Sequence, residues 1–278
     1  MEFAGEIAMG RGLKPGPRHR KVAVGNHECN CYLAFGVSEI MFDVELRRTV
    51  NNAMGELVEI RIPVTVHPSK TGVVIINSHG LGGSKDGYNG KYVKIAEYLR
   101  SLGVGSVVRY HSSLFPFAFQ NVDMDTLLVG NFMAVIEYVM EDSLRVCGSR
   151  NPEIYLAGFS AGASTSAAIA YEFPQVKKML LISPSADINT KMLRKGLSEY
   201  RGELYVTVGD NDPVLSPEAA RTILGWAEKA KVKKIAIVPN CDHQFTGERN
   251  GRILSKAYLW AFNGEETYPS PERGIKLY

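Results

Sequence analysis

Residues 153–174 read Glu-Ile-Tyr-Leu-Ala-Gly-Phe-Ser-Ala-Gly-Ala-Ser-Thr-Ser-Ala-Ala-Ile-Ala-Tyr-Glu-Phe-Pro. The apolar run at 153–157 has the length of a strand covered on both faces. The small-residue run from Ala161 to Phe173 reads as a helix stopped by Pro174. Between them lies Gly158-Phe159-Ser160-Ala161-Gly162, a G-x-S-x-G pattern at a strand-to-helix turn. A turn that tight holds the serine in a strained backbone conformation. Side chains at Gly158 and Gly162 would collide with neighbouring backbone. Ala161 and Ala163 let the helix approach the sheet. Ser160 then presents its hydroxyl at a helix N-terminus, where N–H groups favour a developing anion.

Outward from this turn the same alternation continues. Strands are expected over 73–77, 106–110, 179–182, 204–208 and 234–238. Helices are expected over 88–101, 123–141, with Asp123 as N-cap, 217–230, with Pro217 just inside the start, and 247–262. Strands alternating with helices over some 190 residues mean βαβ units and a doubly wound, mostly parallel sheet, an α/β fold. Upstream, 40–46 and 57–66 alternate apolar and polar residues. An antiparallel strand pair at the sheet edge is expected there, turned at Asn51 and Asn52. The expected organisation is a mobile basic tail at 1–21, an N-terminal extension at 22–54 with an edge strand, and the main domain at 55–278. Met54 is a second candidate start.

In a doubly wound sheet the chemistry sits on loops beyond the carboxyl ends of the strands. A serine hydroxyl needs a base, most often histidine. The six histidines are His19, His27, His67, His79, His111 and His243. With chain order serine, acid, histidine, only His243 follows Ser160. It lies just past the last expected strand. The acid belongs on the loop after the strand at 204–208, which reads Gly209-Asp210-Asn211-Asp212-Pro213-Val214. Asp212 is preferred to Asp210 because it reaches one step further past the strand. Asp242 is a weaker rival, since side chains of adjacent residues diverge. An oxyanion hole takes one N–H from Ala161 and one from the loop after the strand at 73–77. That loop reads His79-Gly80-Leu81-Gly82-Gly83-Ser84-Lys85-Asp86-Gly87, and Leu81 is the expected donor. Gly80 permits close approach to a tetrahedral oxygen, and His79 is structural.

Four motifs in order, HGLGG at 79–83, GFSAG at 158–162, GDNDPV at 209–214 and DHQF at 242–245, resemble the α/β-hydrolase superfamily. The resemblance covers roughly residues 55–265. It is nearest to compact serine esterases of the dienelactone-hydrolase-like and cinnamoyl-esterase-like kind. It implies an eight-stranded, mostly parallel sheet and Ser160, Asp212 and His243 as the triad. Dienelactone hydrolases proper carry cysteine at the nucleophile, and this chain has Ser160. Many relatives insert a helical cap before the acid loop; the segment at 184–202 has room for one helix and no large cap domain. Phe115, Phe117 and Phe119, on one face of an extended 111–121 segment, and Phe159 are candidates to line a substrate pocket. Arg109 and Tyr110 lead into that segment.

Composition narrows the partners. The 278 residues carry 32 Lys plus Arg and 29 Asp plus Glu, a formal charge of +3. Residues 1–21 hold five of the basic and two of the acidic groups, leaving 27 of each sign beyond. A neutral body lacks the basic face a nucleic acid needs. The glycine loop is not a nucleotide cradle: the sixth position from Gly80 is Lys85, and Ser84-Lys85 lacks the Gly-Lys-Ser/Thr arrangement. No apolar run approaches the roughly 18–20 residues of a membrane span. No signal-peptide pattern opens the chain, so the expected compartment is the cytoplasm. Four cysteines in this length make no disulfide framework. His27, Cys29 and Cys31 fall one ligand short of a structural zinc site. The expected activity is cleavage of a small-molecule carboxylic ester or thioester with no metal or other cofactor. A peptidase or amidase with the same triad, and a non-catalytic binding protein, are the alternatives.

Overall fold

The computed structural model describes residues 40–112, 121–185 and 190–278 in full, and the backbone of 22–24 and 27–29. The expected tail at 1–21, the Phe115, Phe117 and Phe119 group, and the side chains of His27, Cys29 and Cys31 lie outside the described residues. Strands β1 (Val22–Val24) and β2 (His27–Cys29) form a short antiparallel pair.

The main sheet has eight strands. They are β3 (Phe42–Asn51), β4 (Leu57–His67), β5 (Val73–Ser78), β6 (Ser106–Tyr110), β7 (Glu153–Phe159), β8 (Val176–Ile182), β9 (Glu203–Gly209) and β10 (Val232–Val238). Their spatial order is β10-β9-β8-β7-β5-β6-β4-β3. The six strands from β5 onward are parallel, β4 runs antiparallel to β6, and β3 pairs antiparallel with β4 over ten residues at the edge. The turn between β3 and β4 is held by Asn52, whose Oδ1 accepts the N–H groups of Met54 and Glu56, both at 2.9 Å.

Helices cover both faces. Helices α1 (Lys91–Ser101) and α7 (Glu248–Phe262) bury Ile95, Leu99, Ile253 and Tyr258 with Ile75 and Val107 on one side. On the other side lie α2 (Met124–Glu141), α3 (Ser143–Cys147), α4 (Ala161–Ile169), α5 (Thr190–Glu199) and α6 (Pro217–Gly225). Their Phe132, Val135, Val146, Ala167, Leu197 and Ile223 pack with Val74, Leu156 and Val206. Burial on both faces is why the parallel strands are nearly unbroken apolar runs. Two connections matter for the site. The chain leaves β5 to one side for β6 and returns to its other side as β7, so the carboxyl ends of β5 and β7 flank a topological switch point. The β8-to-β9 connection carries the single helix α5 among the described residues, and no cap domain.

Several helix ends differ from expectation. α1 starts three residues late, because Gly87, Asn89 and Gly90 all have positive φ (69°, 53° and 67°) and spend that turn outside the helix. Asp123 caps α2, its Oδ1 accepting the Thr126 N–H at 2.8 Å. α4 gives way after Ile169 to one tighter turn over Ala170–Glu172. α6 ends at Gly225, where the Ala227 N–H reaches back only three residues to the Leu224 carbonyl. Helix α3 was not expected. No described helix is long and apolar enough to cross a membrane.

Candidate active site

The site is built from three loop ends on the carboxyl edge of the sheet. At the tip of β7, Ser160 has φ 53° and ψ −121°, a conformation L-residues rarely adopt. Its own backbone is held on both sides. The Ser160 N–H donates to the Ile182 carbonyl at the end of β8 (2.9 Å), and the Ser160 carbonyl accepts from Ala163 (3.0 Å) and Ser164 (3.2 Å) as α4 begins. Glycine is required on either side. A Cβ on Gly158 would lie 2.4 Å from Ala163 Cα, and one on Gly162 would lie 2.5 Å from the carbonyl oxygens of Ser78 and His79.

The second loop follows β10. There His243 Nε2 lies 3.1 Å from Ser160 Oγ. The third loop follows β9 and carries Asp212, whose carboxylate oxygens lie 2.9 and 3.0 Å from His243 Nδ1. An ionised carboxylate only accepts, so Nδ1 holds the proton, and in the neutral ring Nε2 accepts from the Ser160 hydroxyl. The Asp212 side chain is 0% exposed. Its Oδ1 also accepts the N–H groups of Val214 (2.8 Å) and Leu215 (3.0 Å), which fix it from behind. The rival aspartates are occupied elsewhere. Asp210 Oδ1 accepts the Cys241 N–H (3.3 Å), and Asp242 Oδ1 accepts the Thr246 N–H (2.8 Å). Asp210 ties the loop after β9 to the loop after β10, Asp242 closes its own turn, and neither bonds the imidazole.

The loop after β5 arches over Ser160. Gly80 is its point of closest approach: a Cβ there would lie 3.1 Å from Ser160 Cβ and 3.0 Å from the Phe159 ring. Leu81 follows, 45% exposed. Among the described residues, nothing accepts a hydrogen bond from the N–H of Leu81 or of Ala161. His79 anchors this end of the loop. Its Nδ1–H donates to the Gly80 carbonyl (2.7 Å), and its Nε2 accepts the Ser112 N–H (3.1 Å). Burial pushes the His79 imidazole down to about 4, against the pull of the Gly80 carbonyl, so near neutral pH the ring is uncharged and can both give and accept.

Phe159, a candidate for the substrate pocket, is buried. Its ring centroid lies 5.1 Å from that of His243 and 4.9 Å from Lys91 Nζ. It forms a wall behind His243. Lys91 itself, at the first position of α1, is almost wholly buried, and burial lowers its ammonium to about 8 despite the pull of Asp242. Arg109 and Tyr110 also turn inward: Arg109 bonds the β5 loop and Tyr110 shares a 2.7 Å hydrogen bond with Ser78. Sequence reading missed Lys91 and the anchoring bonds of His79 and Arg109. The one local signal was a charge inside an apolar run, as in Ser106-Val-Val-Arg-Tyr110. Among the described residues, no three His, Cys, Asp or Glu side chains are grouped to hold a metal.

No family pattern and no curated protein match the sequence. Solved structures do match the fold. Dienelactone hydrolase from Anabaena variabilis is similar with a TM-score of 0.56 at 14% identity, over 78% of this chain and 99% of that one. Est1E from Butyrivibrio proteoclasticus has a TM-score of 0.54 at 15% identity, over 76% and 95%. An alpha-beta serine hydrolase homologue from Coxiella burnetii has a TM-score of 0.54 at 20% identity, over 78% and 96%. With its strand order and doubly wound helices, the chain has the α/β-hydrolase fold, which it shares with these structures.

Proposed function

We propose that the chain is a serine hydrolase that cleaves a carboxylic ester or thioester through an acyl-enzyme intermediate. The observation that carries this reading is the continuous hydrogen-bonded line from Ser160 Oγ through His243 to the buried Asp212 carboxylate. In this mechanism the Ser160 oxygen attacks the carbonyl carbon while its proton passes to His243 Nε2. Asp212 keeps the imidazole in the right tautomer and stabilises the imidazolium by charge. The carbonyl oxygen becomes an oxyanion and accepts from the N–H groups of Ala161 and Leu81. His243 returns the proton to the departing alcohol or thiol as the carbon–oxygen or carbon–sulfur bond breaks. Water then attacks the acyl-enzyme by the same steps in reverse order, releasing the acid and restoring Ser160. The strained Ser160 backbone aims Oγ out of the turn, and the unpaired donors beside it need no reorganisation to meet the new charge.

The substrate in this reading is a small molecule reaching a site that lacks a large cap. The test is a fluorophosphonate probe followed by a panel of nitrophenyl esters of increasing acyl length beside aminoacyl amides. Covalent labelling of the wild type, its loss in Ser160→Ala, and turnover of esters over amides are the expected results. Folded protein that is not labelled overturns the enzyme reading, and a preference for amides overturns the ester assignment.

A further inference from the structure

We propose that Arg109 is a positioning residue for the oxyanion-binding loop, holding the Leu81 N–H at a working distance from Ser160; this deepens the serine-hydrolase reading and rests on it. Arg109 lies in β6 and is 2% exposed. An arginine cannot shed its proton at such a site, so its charge must be met by partners. The partners lie on the β5 loop and on β4. Nη1 donates to the Lys85 carbonyl (2.9 Å) and to the Asp86 carboxylate, and Nε donates to His67 Nε2 (3.0 Å). Lys85 adds a second tie, its ammonium donating to Thr65 Oγ1 (2.7 Å) on β4, whose hydroxyl donates to Asp43 (2.5 Å) on β3. The far limb of the loop is thus fastened to two strands, β4 and β6, and through Thr65 to β3.

The near limb is fastened by His79 through the Gly80 carbonyl and the Ser112 N–H. Between the two anchors lie only Leu81, Gly82, Gly83 and Ser84. Gly82 has φ 69°, and the one backbone bond inside this span is Gly83 N–H to the Gly80 carbonyl (3.0 Å). A glycine-rich span has high conformational freedom of its own. An oxyanion donor must sit about 3 Å from its oxygen, and misplacement by about 1 Å costs on the order of 100-fold. One anchor on β4 and β6 and another on the segment just after β6 remove that freedom before substrate arrives. Only a guanidinium gives the forked set of bonds seen here, so lysine is not an equivalent.

The test compares wild type with Arg109→Lys and Arg109→Met in the full chain, with active sites titrated by a fluorophosphonate. A trifluoromethyl ketone serves as the second probe. Ser160 adds to its carbonyl carbon, the serine proton goes to His243, and the oxygen becomes an oxyanion in the same hole. Expected are a fall in kcat per titrated site of about 10–100-fold, KM within about threefold, and ketone affinity falling by the same factor as kcat/KM. A role in stability alone would lower Tm and leave kcat per site unchanged. If the arginine variants do not fold, Asp86→Ala decides, because that side chain is half exposed and its loss removes the loop-side carboxylate; the same signature is expected at about 3–10-fold. Folded variants with wild-type kcat per site, or with lost kcat and undiminished ketone affinity, overturn the inference. Wild type that no fluorophosphonate labels overturns the hydrolase reading itself.

Discussion

Two loops meet at Ser160, and they are held in place by different physics. The turn at 158–162 is fixed by excluded volume: a Cβ on Gly158 would meet the turn's own Ala163, one on Gly162 would meet the carbonyls of Ser78 and His79, and the serine is strained to φ 53°. The loop at 79–87 is fixed by hydrogen bonds to β4, β6 and the segment that follows β6, with β3 bracing Thr65 on β4. The first arrangement is stiff, as suits the atom that forms the covalent bond in the proposed mechanism. The second is assembled from distant parts and stays adjustable residue by residue. Sterics position the proposed nucleophile, and polar anchors position what would receive the charge.

The comparison can be broken most sharply at the turn. Ser160→Ala leaves the backbone constraint in place and removes the hydroxyl, so turnover of esters should fall about 10⁴-fold or more with little change in Tm. Asp212→Asn should cost about 10⁴-fold, because the imidazole loses its tautomer, while Asp210→Asn changes kcat only about threefold, since Asp210 bonds the Cys241 N–H and not the ring. A larger loss in Asp210→Asn than in Asp212→Asn, measured as kcat on one nitrophenyl ester, would reverse that assignment.

Gly162→Ala joins the two regions. Its new Cβ would press on the carbonyls of Ser78 and His79 and push the loop off the turn. A loss of about 1–3 kcal/mol in urea unfolding is expected, together with reduced kcat in the protein that still folds. Unchanged stability would mean that the two loops are not in contact.

The loop has its own signature with acid. Burial lowers both His67 and His79 to about 4, and each accepts an N–H through Nε2. An unfolded histidine titrates near 6.5. Between 6.5 and 4 the unfolded chain therefore binds more protons than the native one, and stability falls as pH falls through that window. For the more buried His79 this is on the order of 2–3 kcal/mol, and His79→Gln should flatten the slope of unfolding free energy against pH. An unaltered slope would remove His79 from the account. Lys91→Met is expected to have the smallest effect, a few-fold in kcat at most, because Lys91 packs on the Phe159 ring and makes no hydrogen bond to Ser160, His243 or Asp212.

Much of the architecture was legible along the chain. Unbroken apolar runs marked the parallel strands, strict alternation marked the β3 and β4 edge pair, and Asp123 and Pro217 marked two helix starts. Helix ends were less so, as at Tyr88–Gly90, where left-handed residues displaced the start of α1. Ser160 and His243 could be named because each lay at a place set by local pattern: a glycine-flanked turn and the loop after the last strand. Asp212 was separable from Asp210 by one residue of reach, yet the reason is spatial. Asp210 ties its loop to Cys241, Asp242 closes a turn, and only Asp212 is backed by two N–H groups while facing the ring.

The sequence by itself therefore determined the order of strands and helices, the turn that carries Ser160 and the short list of its partners. Those depend on periodicity and excluded volume, which act between near neighbours. Only the tertiary structure decided how His79, Arg109, Lys85 and Lys91 are used. Each is a buried or half-buried polar group whose partner lies on another element, and a hydrogen bond across such a sequence distance leaves no local pattern to read.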